Sequence, residues 1–248
     1  MDNVSQKPVA IITGASRGVG AATALLLASR GWNITITCSS TLKEANEIAS
    51  ACEEHNVEAF AIQADVSKDA DCKDTINQTI NKWGRIDALI NNAGTSKFAW
   101  DHSDLDQLNA DDFQKIYAVN LIGPFQMVKA AKKYLMQSSN PSITNVSSIA
   151  GIKGIGSSIA YAVSKGALNT MTISMARNLG PIRVNAVCPG FIEGEWLKNG
   201  LGEETYNSAK GHLESTVPLK SVASPASIAE SIMAFTELNK NATGQLLI

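Results

Sequence analysis

The sequence predicts a doubly wound α/β fold: one domain over residues 1–248, with a parallel sheet of about seven strands and helices on both faces. Three observations carry this. Short β-type runs alternate with helical stretches along most of the chain. Several runs are almost continuously apolar, as strands covered on both faces must be. No repeat at solenoid spacing and no low-complexity linker breaks the alternation.

The strand candidates are Val9 to Thr13, Asn33 to Cys38, Ala59 to Gln63, Ala88 to Asn91, Ser142 to Ser147 and Arg183 to Cys188. Helical stretches lie between them at Val19 to Ser29, Leu42 to His55, Ala70 to Trp83, Phe113 to Met136 and Ala160 to Leu179. Thr243 to Ile248 supply a final strand. Residues 190–218 depart from the pattern, being glycine-rich and mixing polar with aromatic side chains. Such an excursion after a strand is either a substrate lid or a surface insertion, and both readings stand at this point.

With 21 basic and 23 acidic side chains, the formal net charge of −2 gives no electrostatic footing for nucleic acid or an anionic membrane surface. Cys38, Cys52, Cys72 and Cys188 form no C-x-x-C pair, and His55, His102 and His212 lack ligand spacing, so no metal site is expected. The acidic run Asp101 to Asp106 reads as a lead-in and cap for the next helix. Met1 to Pro8 lacks the apolar core of a signal peptide, and no apolar run reaches the roughly 18 residues of a membrane span. A cytoplasmic protein is the expectation.

The first strand runs through Thr13 into Gly14-Ala15-Ser16-Arg17-Gly18-Val19-Gly20 and then directly into a helix. Glycines allow the tight turn and the close approach of a pyrophosphate, and the helix N-terminus offers it free N–H groups and a positive dipole end. Gly14, Ser16, Arg17, Gly18, Val19 and Gly20 are therefore candidate cofactor contacts. The second strand ends Thr37-Cys38-Ser39-Ser40, without the carboxylate that would chelate ribose hydroxyls and repel a 2′-phosphate. Arg17 offers charge to such a phosphate and Ser39 and Ser40 offer hydrogen bonds, so NADP(H) is favoured over NAD(H).

Tyr161 and Lys165 are four apart on a predicted helix and share one face. A phenol of ordinary pKa, about 10, gives up its proton reluctantly at neutral pH. A neighbouring ammonium and an oxidised nicotinamide would lower that value, which makes Tyr161 a candidate general acid and base.

The spacing Gly14-x-x-x-Gly18-x-Gly20 after Thr13, then Asp65-Val66, Asn91-Asn92-Ala93-Gly94, Asn120, Ser148, Tyr161-x-x-x-Lys165 and Pro189-Gly190, resembles the short-chain dehydrogenase/reductase family. These landmarks run in the family's order over essentially the whole chain. In overall pattern the chain is most similar to 3-oxoacyl-[acyl-carrier-protein] reductase-like members. The resemblance implies a single-domain Rossmann fold and reversible hydride transfer between nicotinamide and a small-molecule carbonyl/alcohol pair. It implies that Asp65 and Val66 lie on the adenine side, that Asn92, Ala93 and Gly94 line the cofactor, and that Pro189, Gly190 and Ile192 lie beside the nicotinamide. It further implies that Ser148 orients the substrate oxygen, with Ser147 the neighbouring candidate set aside by spacing. Asn120 would bend its helix and hold a relay water, and Lys165 would bond the nicotinamide ribose. A homo-oligomer, tetramer or dimer, is implied as well.

The chain departs from the family in three places. Gly194 stands where many relatives carry a threonine that contacts the nicotinamide amide, and the relatives' acidic, glycine-rich ending does not follow Thr243 to Ile248. The stretches expected to dock an acidic carrier, 136–140 and 178–181, contain no Lys or Arg, although Lys132, Lys133 and Arg177 are near. Carrier-bound and free carbonyl substrates both remain open. Trp100 and Trp196 fall in loops on the expected substrate side, as pocket walls or as packing. The competing class is a cofactor-binding regulator or scaffold without turnover, for which the Asn120, Ser148, Tyr161 and Lys165 set has no chemical need.

Overall fold

The computed structural model describes residues 7–248; Met1 to Gln6, part of the stretch read for a leader, lie outside them. Strands β1 (Val9–Ile12), β2 (Asn33–Cys38), β3 (Ala59–Gln63), β4 (Ala88–Asn91), β5 (Ser142–Val146), β6 (Arg183–Val187) and β7 (Leu246–Leu247) form one parallel sheet. Their order is β3-β2-β1-β4-β5-β6-β7, so the connections reverse direction between β1 and β4. That reversal opens a crevice at the carboxyl ends of these two strands.

Alternation along each strand sends side chains to opposite faces, and both faces are covered. Ala10, Ile12, Ile34, Ile36 and Ile90 pack with Leu27 of α1 (Gly18–Ser29), Ala45 of α2 (Leu42–Glu53) and Ile232 of a later helix. Ile11, Leu89, Ile143 and Val184 pack on the other face with Ile76 of α3 (Asp69–Trp83) and with Met127 and Leu135. Each fully buried aliphatic side chain contributes about 1.5–3 kcal/mol. This two-sided burial is why the strands are apolar throughout.

The helix expected over 113–136 is divided. It comprises α4 (Ala110–Tyr117), a π-helical turn at Ala118–Ile122, and α5 (Gly123–Leu135). Pro124 lies in the first turn of α5 and has no N–H to give back to the preceding turn. The Gly123-Pro124 pair was the available signal. Asn109, with Asp112, forms the capping box of α4, so the acidic run does not cap that helix; its Asp104 caps only a short 3₁₀ turn, Leu105–Gln107.

Further on lie α6 (Ala150–Lys153) and α7 (Ile159–Asn178). The 190–218 excursion is helical, with α8 (Glu195–Leu201) and α9 (Glu203–Thr216). Helix α10 (Pro225–Met233) was not anticipated, although Ser224 caps it reciprocally with Ser227 and proline opens it. Among the described residues no helix is long and apolar enough to cross a membrane.

Candidate active site

The turn after β1 is built by the strand beside it. The Asn92 side chain donates to the carbonyls of Thr13 and Gly14, both at 2.9 Å, while the Thr13 hydroxyl accepts the N–H groups of Asn92 and Ala93 at 3.0 Å. Gly14 has φ +63°, and a Cβ there would meet the Ala93 backbone at 2.9 Å, so glycine is required on two counts. The N-N-A-G stretch therefore fixes the shape of the glycine turn. Thr13, half of that clamp, was left out of the expected site; its place as last residue before the turn was the signal.

Helix α1 begins at Gly18 with no side-chain cap from Arg17 and no carboxylate in its first turn. Its leading amides and dipole suit an anion, so the donor set fits a dinucleotide pyrophosphate. Arg17, Ser39 and Ser40 are exposed. The Ala15 N–H donates to the Thr37 carbonyl at 2.9 Å, which brings the turn against the end of β2, and Thr41 donates to the Ser16 hydroxyl at 2.7 Å. Val19 packs against the core beneath the turn.

Asp65 and Val66 shape the β3–α3 connection. The Asp65 carboxylate accepts from the Ser67 hydroxyl at 2.7 Å and its N–H at 3.0 Å. The hydroxyl contact, against a smaller opposing effect of burial, holds the Asp65 pKa below its usual value. Val66 is buried beneath Gly123, and its carbonyl accepts from Gln126.

The four expected catalytic side chains come from different elements. Ser158 caps α7 by accepting the Tyr161 N–H at 3.1 Å, which starts the helix so that Tyr161 lies in its first turn. Lys165 follows one turn later, and its ammonium donates to the Val146 carbonyl at the end of β5 at 2.8 Å. Its nitrogen lies 5.6 Å from the centre of the Tyr161 ring. Gly151 lies against the backbone of Lys165 and Gly166, where a Cβ would approach within 2.4 Å, so the loop after β5 rests directly on α7.

Ser147 and Ser148 have different surroundings. Ser147 faces inward, donating to Asn169 at 2.5 Å and to the Lys165 carbonyl at 3.2 Å. The Ser148 hydroxyl accepts the Ala150 N–H at 3.1 Å, is 3.4 Å from the Pro189 carbonyl, and hydrogen-bonds the Tyr161 phenol. Asn120 is fully buried in the π-helical turn. It accepts the Thr95 N–H at 2.8 Å and donates to the Thr95 carbonyl at 2.9 Å and to Ser164 at 3.0 Å. Gly94 is adjacent, since a Cβ on it would lie 3.6 Å from both Asn120 and the Lys165 nitrogen. Thr95, Ser164 and Asn169, which tie the set together, carry no sequence pattern that reveals them.

Burial sets the protonation of the pair. It pushes the Tyr161 phenol up to about 12, with the Ser148 hydrogen bond a smaller opposing influence. It lowers Lys165 to about 8, against a smaller pull from Cys188. The expected fall of the tyrosine pKa is thus reversed in the protein alone. Desolvation of the phenolate dominates, and a lysine lowered to about 8 is already neutral where that phenol would ionise.

Pro189 is buried, Gly190 is exposed, and Ile192 forms an isolated bridge with Ala223 and packs on the core. Gly194, at φ +143°, opens α8, and its N–H bonds the Tyr206 hydroxyl at 3.2 Å. The helical excursion reaches the site: the Trp196 ring lies 6.1 Å from that of Tyr161. His102 ties the 154–158 loop in place through the Gly156 carbonyl at 3.1 Å.

The profile of the short chain dehydrogenase family matches residues 8–204. A Streptomyces violaceoruber protein of the granaticin polyketide synthase, named for ketoacyl reduction, is 35% identical over 244 residues, covering 98% of this chain and 94% of that protein. The 3-oxoacyl-[acyl-carrier-protein] reductase of Staphylococcus epidermidis is 30% identical over 241 residues, covering 96% and 95%. A crystal structure from Burkholderia xenovorans, described as a short-chain dehydrogenase/reductase, superimposes with a TM-score of 0.89 at 42% identity, covering 98% of this chain and 96% of the other. On fold, ordered motifs and similarity along nearly its full length, the chain belongs to the short-chain dehydrogenase/reductase family, NAD(P)-dependent oxidoreductases acting on CH–OH and C=O groups.

Proposed function

We propose that this chain is an NADP(H)-dependent carbonyl reductase in which Tyr161 protonates the substrate oxygen. One observation carries the reading: Ser148, Tyr161 and Lys165 converge beside the end of β5, with buried Asn120 against Gly94 at the same edge. The cofactor, when bound, supplies or accepts the hydride. The residues that would hold it are Gly14, Ser16, Arg17, Gly18, Val19 and Gly20 at the start of α1, with Asn92, Ala93, Gly94, Pro189, Gly190 and Ile192 at the nicotinamide end. Asp65 and Val66 would serve its adenine side, and Lys165 its ribose.

Each side chain then has a task. Ser148 positions the carbonyl oxygen within reach of the phenol and stabilises charge growing on it. Tyr161 holds its proton at neutral pH, as a donor for reduction must. Lys165 keeps its own proton aimed along the β5 edge. The exposed Arg17 and the Ser39-Ser40 pair, with no carboxylate closing β2, support a phosphorylated cofactor. The relatives named for ketoacyl reduction support a carbonyl substrate. A homo-oligomer is part of this reading.

The test is cofactor oxidation with NADPH and with NADH against ketones, 3-oxoacyl thioesters, quinones and sugars. Turnover preferring NADPH is expected, with the preference reduced in Arg17→Glu. A clear preference for NADH overturns the cofactor assignment, and full activity of Tyr161→Phe overturns the proton assignment.

A further inference from the structure

The substrate side of Tyr161 is a connected aromatic wall. Trp196, in the first turn of α8, has its ring 6.1 Å from Tyr161, inclined by 42°. It packs on Phe98 at 5.2 Å, and Phe98 stacks on Trp100 at 5.5 Å with the planes 28° apart. The wall is anchored at the far end of the same helix. Trp100 donates its indole N–H to the Gly200 carbonyl at 3.1 Å, and a Cβ on Gly200 would fall 2.2 Å from the Phe98 ring. Only glycine lets the α8 backbone rest on that ring.

Both indoles nonetheless keep open faces, Trp100 being 41% and Trp196 46% exposed. On another side of Tyr161, the loop whose Gly156 abuts its ring carries the exposed Ile155. Charge around this mouth has both signs, with Lys153 exposed just before the loop that carries Ile155. Glu195 precedes Trp196, Asp101 and Asp104 follow Trp100, and the nearby cations Lys97 and Lys198 are paired with Asp112 and Glu203. Flat apolar surface placed in this slot loses water and gains ring contacts.

We infer that Trp196, backed by Phe98 and Trp100, is the specificity-determining residue of the site and selects carbonyl compounds bearing a flat aromatic group. This rests on Tyr161 being the proton donor, because the wall matters through its distance from that phenol. Three substrates probe it with NADPH: 2-acetylnaphthalene, 2-butanone and acetoacetyl-CoA, an anionic acyl thioester. The aryl ketone is expected to exceed both in kcat/KM by at least about tenfold, the order of a hydrophobic-pocket preference. Trp196→Ala should remove most of that margin through KM. Equal values for the two ketones, a higher value for the thioester, or an unchanged margin in Trp196→Ala overturns the inference.

A binding measurement separates this from failure of the proton assignment and does not depend on Trp196→Ala folding. In Tyr161→Phe, 2-acetylnaphthalene should quench tryptophan fluorescence saturably in the presence of NADPH, and the added Trp196→Phe change should abolish most of the quenching. If the wild type turns over no carbonyl compound, the reductase reading fails and this titration alone decides the wall. Quenching that does not depend on Trp196, or none at all, overturns it.

Discussion

The Lys165 ammonium donates to the Val146 carbonyl at 2.8 Å, joining the second turn of one helix to the last residue of a central strand. The bond fixes the lysine where β5 ends and the Ser148 loop begins. Lys165, lowered to about 8, has released its proton before a phenol raised to about 12 ionises, so it gives that ionisation no charge.

Tyr161→Phe removes the proposed proton donor with little change of shape. Reduction should fall by about 10²–10⁴-fold, the usual share of a positioned general acid. NADPH affinity, read by fluorescence titration, should stay within about twofold of the wild type. A variant with wild-type turnover would rule out the acid role.

The raised phenol has a spectroscopic consequence. With its pKa pushed up to about 12, Tyr161 should contribute no tyrosinate absorbance at pH 10, where an ordinary tyrosine is half ionised. The difference titration between wild type and Tyr161→Phe, without cofactor, measures this. Half a tyrosine's signal or more at pH 10 would show that burial does not dominate.

Lys165 makes stability depend on pH in a defined direction. Burial lowers its pKa to about 8 from 10.5, so between those values the unfolded chain holds a proton that the folded chain has released. Stability attributable to this group therefore rises with pH through that window, and below it the buried charge costs roughly 3 kcal/mol. Lys165→Met should lose activity yet gain stability relative to wild type at pH 7, with the gain shrinking by pH 9.5. Thermal unfolding at the two pH values checks it, and a difference that does not change with pH counts against the shift.

Asn120 holds the Thr95 N–H and carbonyl at once from a π-helical turn. Asn120→Ala strands both groups in the interior and should cost about 2–4 kcal/mol in urea unfolding. A loss below about 1 kcal/mol would mean that the turn relaxes and pairs them elsewhere.

Asp87 is a buried anchor outside the site. Burial alone would raise its pKa, but hydrogen bonds from Arg85, Ser138 and the Val9 N–H outweigh it and leave the value lowered. Its contribution is therefore present at neutral pH and lost as pH falls below the ordinary carboxylate range. Asp87→Asn should cost about 1.5–3 kcal/mol at pH 7, by weakening the charged hydrogen bonds from Ser138 and the Val9 N–H at the start of β1, and less in acid. Equal losses at pH 7 and in acid would remove the charge from the explanation.

The sequence by itself determined the sheet, the glycine turn and the Tyr161-Lys165 spacing. Each is written in contiguous residues: apolar runs such as Val9 to Ile12, glycine between strand and helix, and two side chains one helical turn apart. The position of Ser148 follows for the same reason, since the end of β5 and the start of α7 set its place. Tertiary structure decided what depends on partners distant along the chain. Asn120 needed Thr95 and Ser164 to become a buried clamp, and Trp196 needed Phe98 and Gly200 to reach Tyr161. The direction of the Tyr161 shift belongs with these. Spacing shows that a lysine is near, but how much water the fold removes from each group, and so which of the two gives up its proton first, is a property of the packed interior.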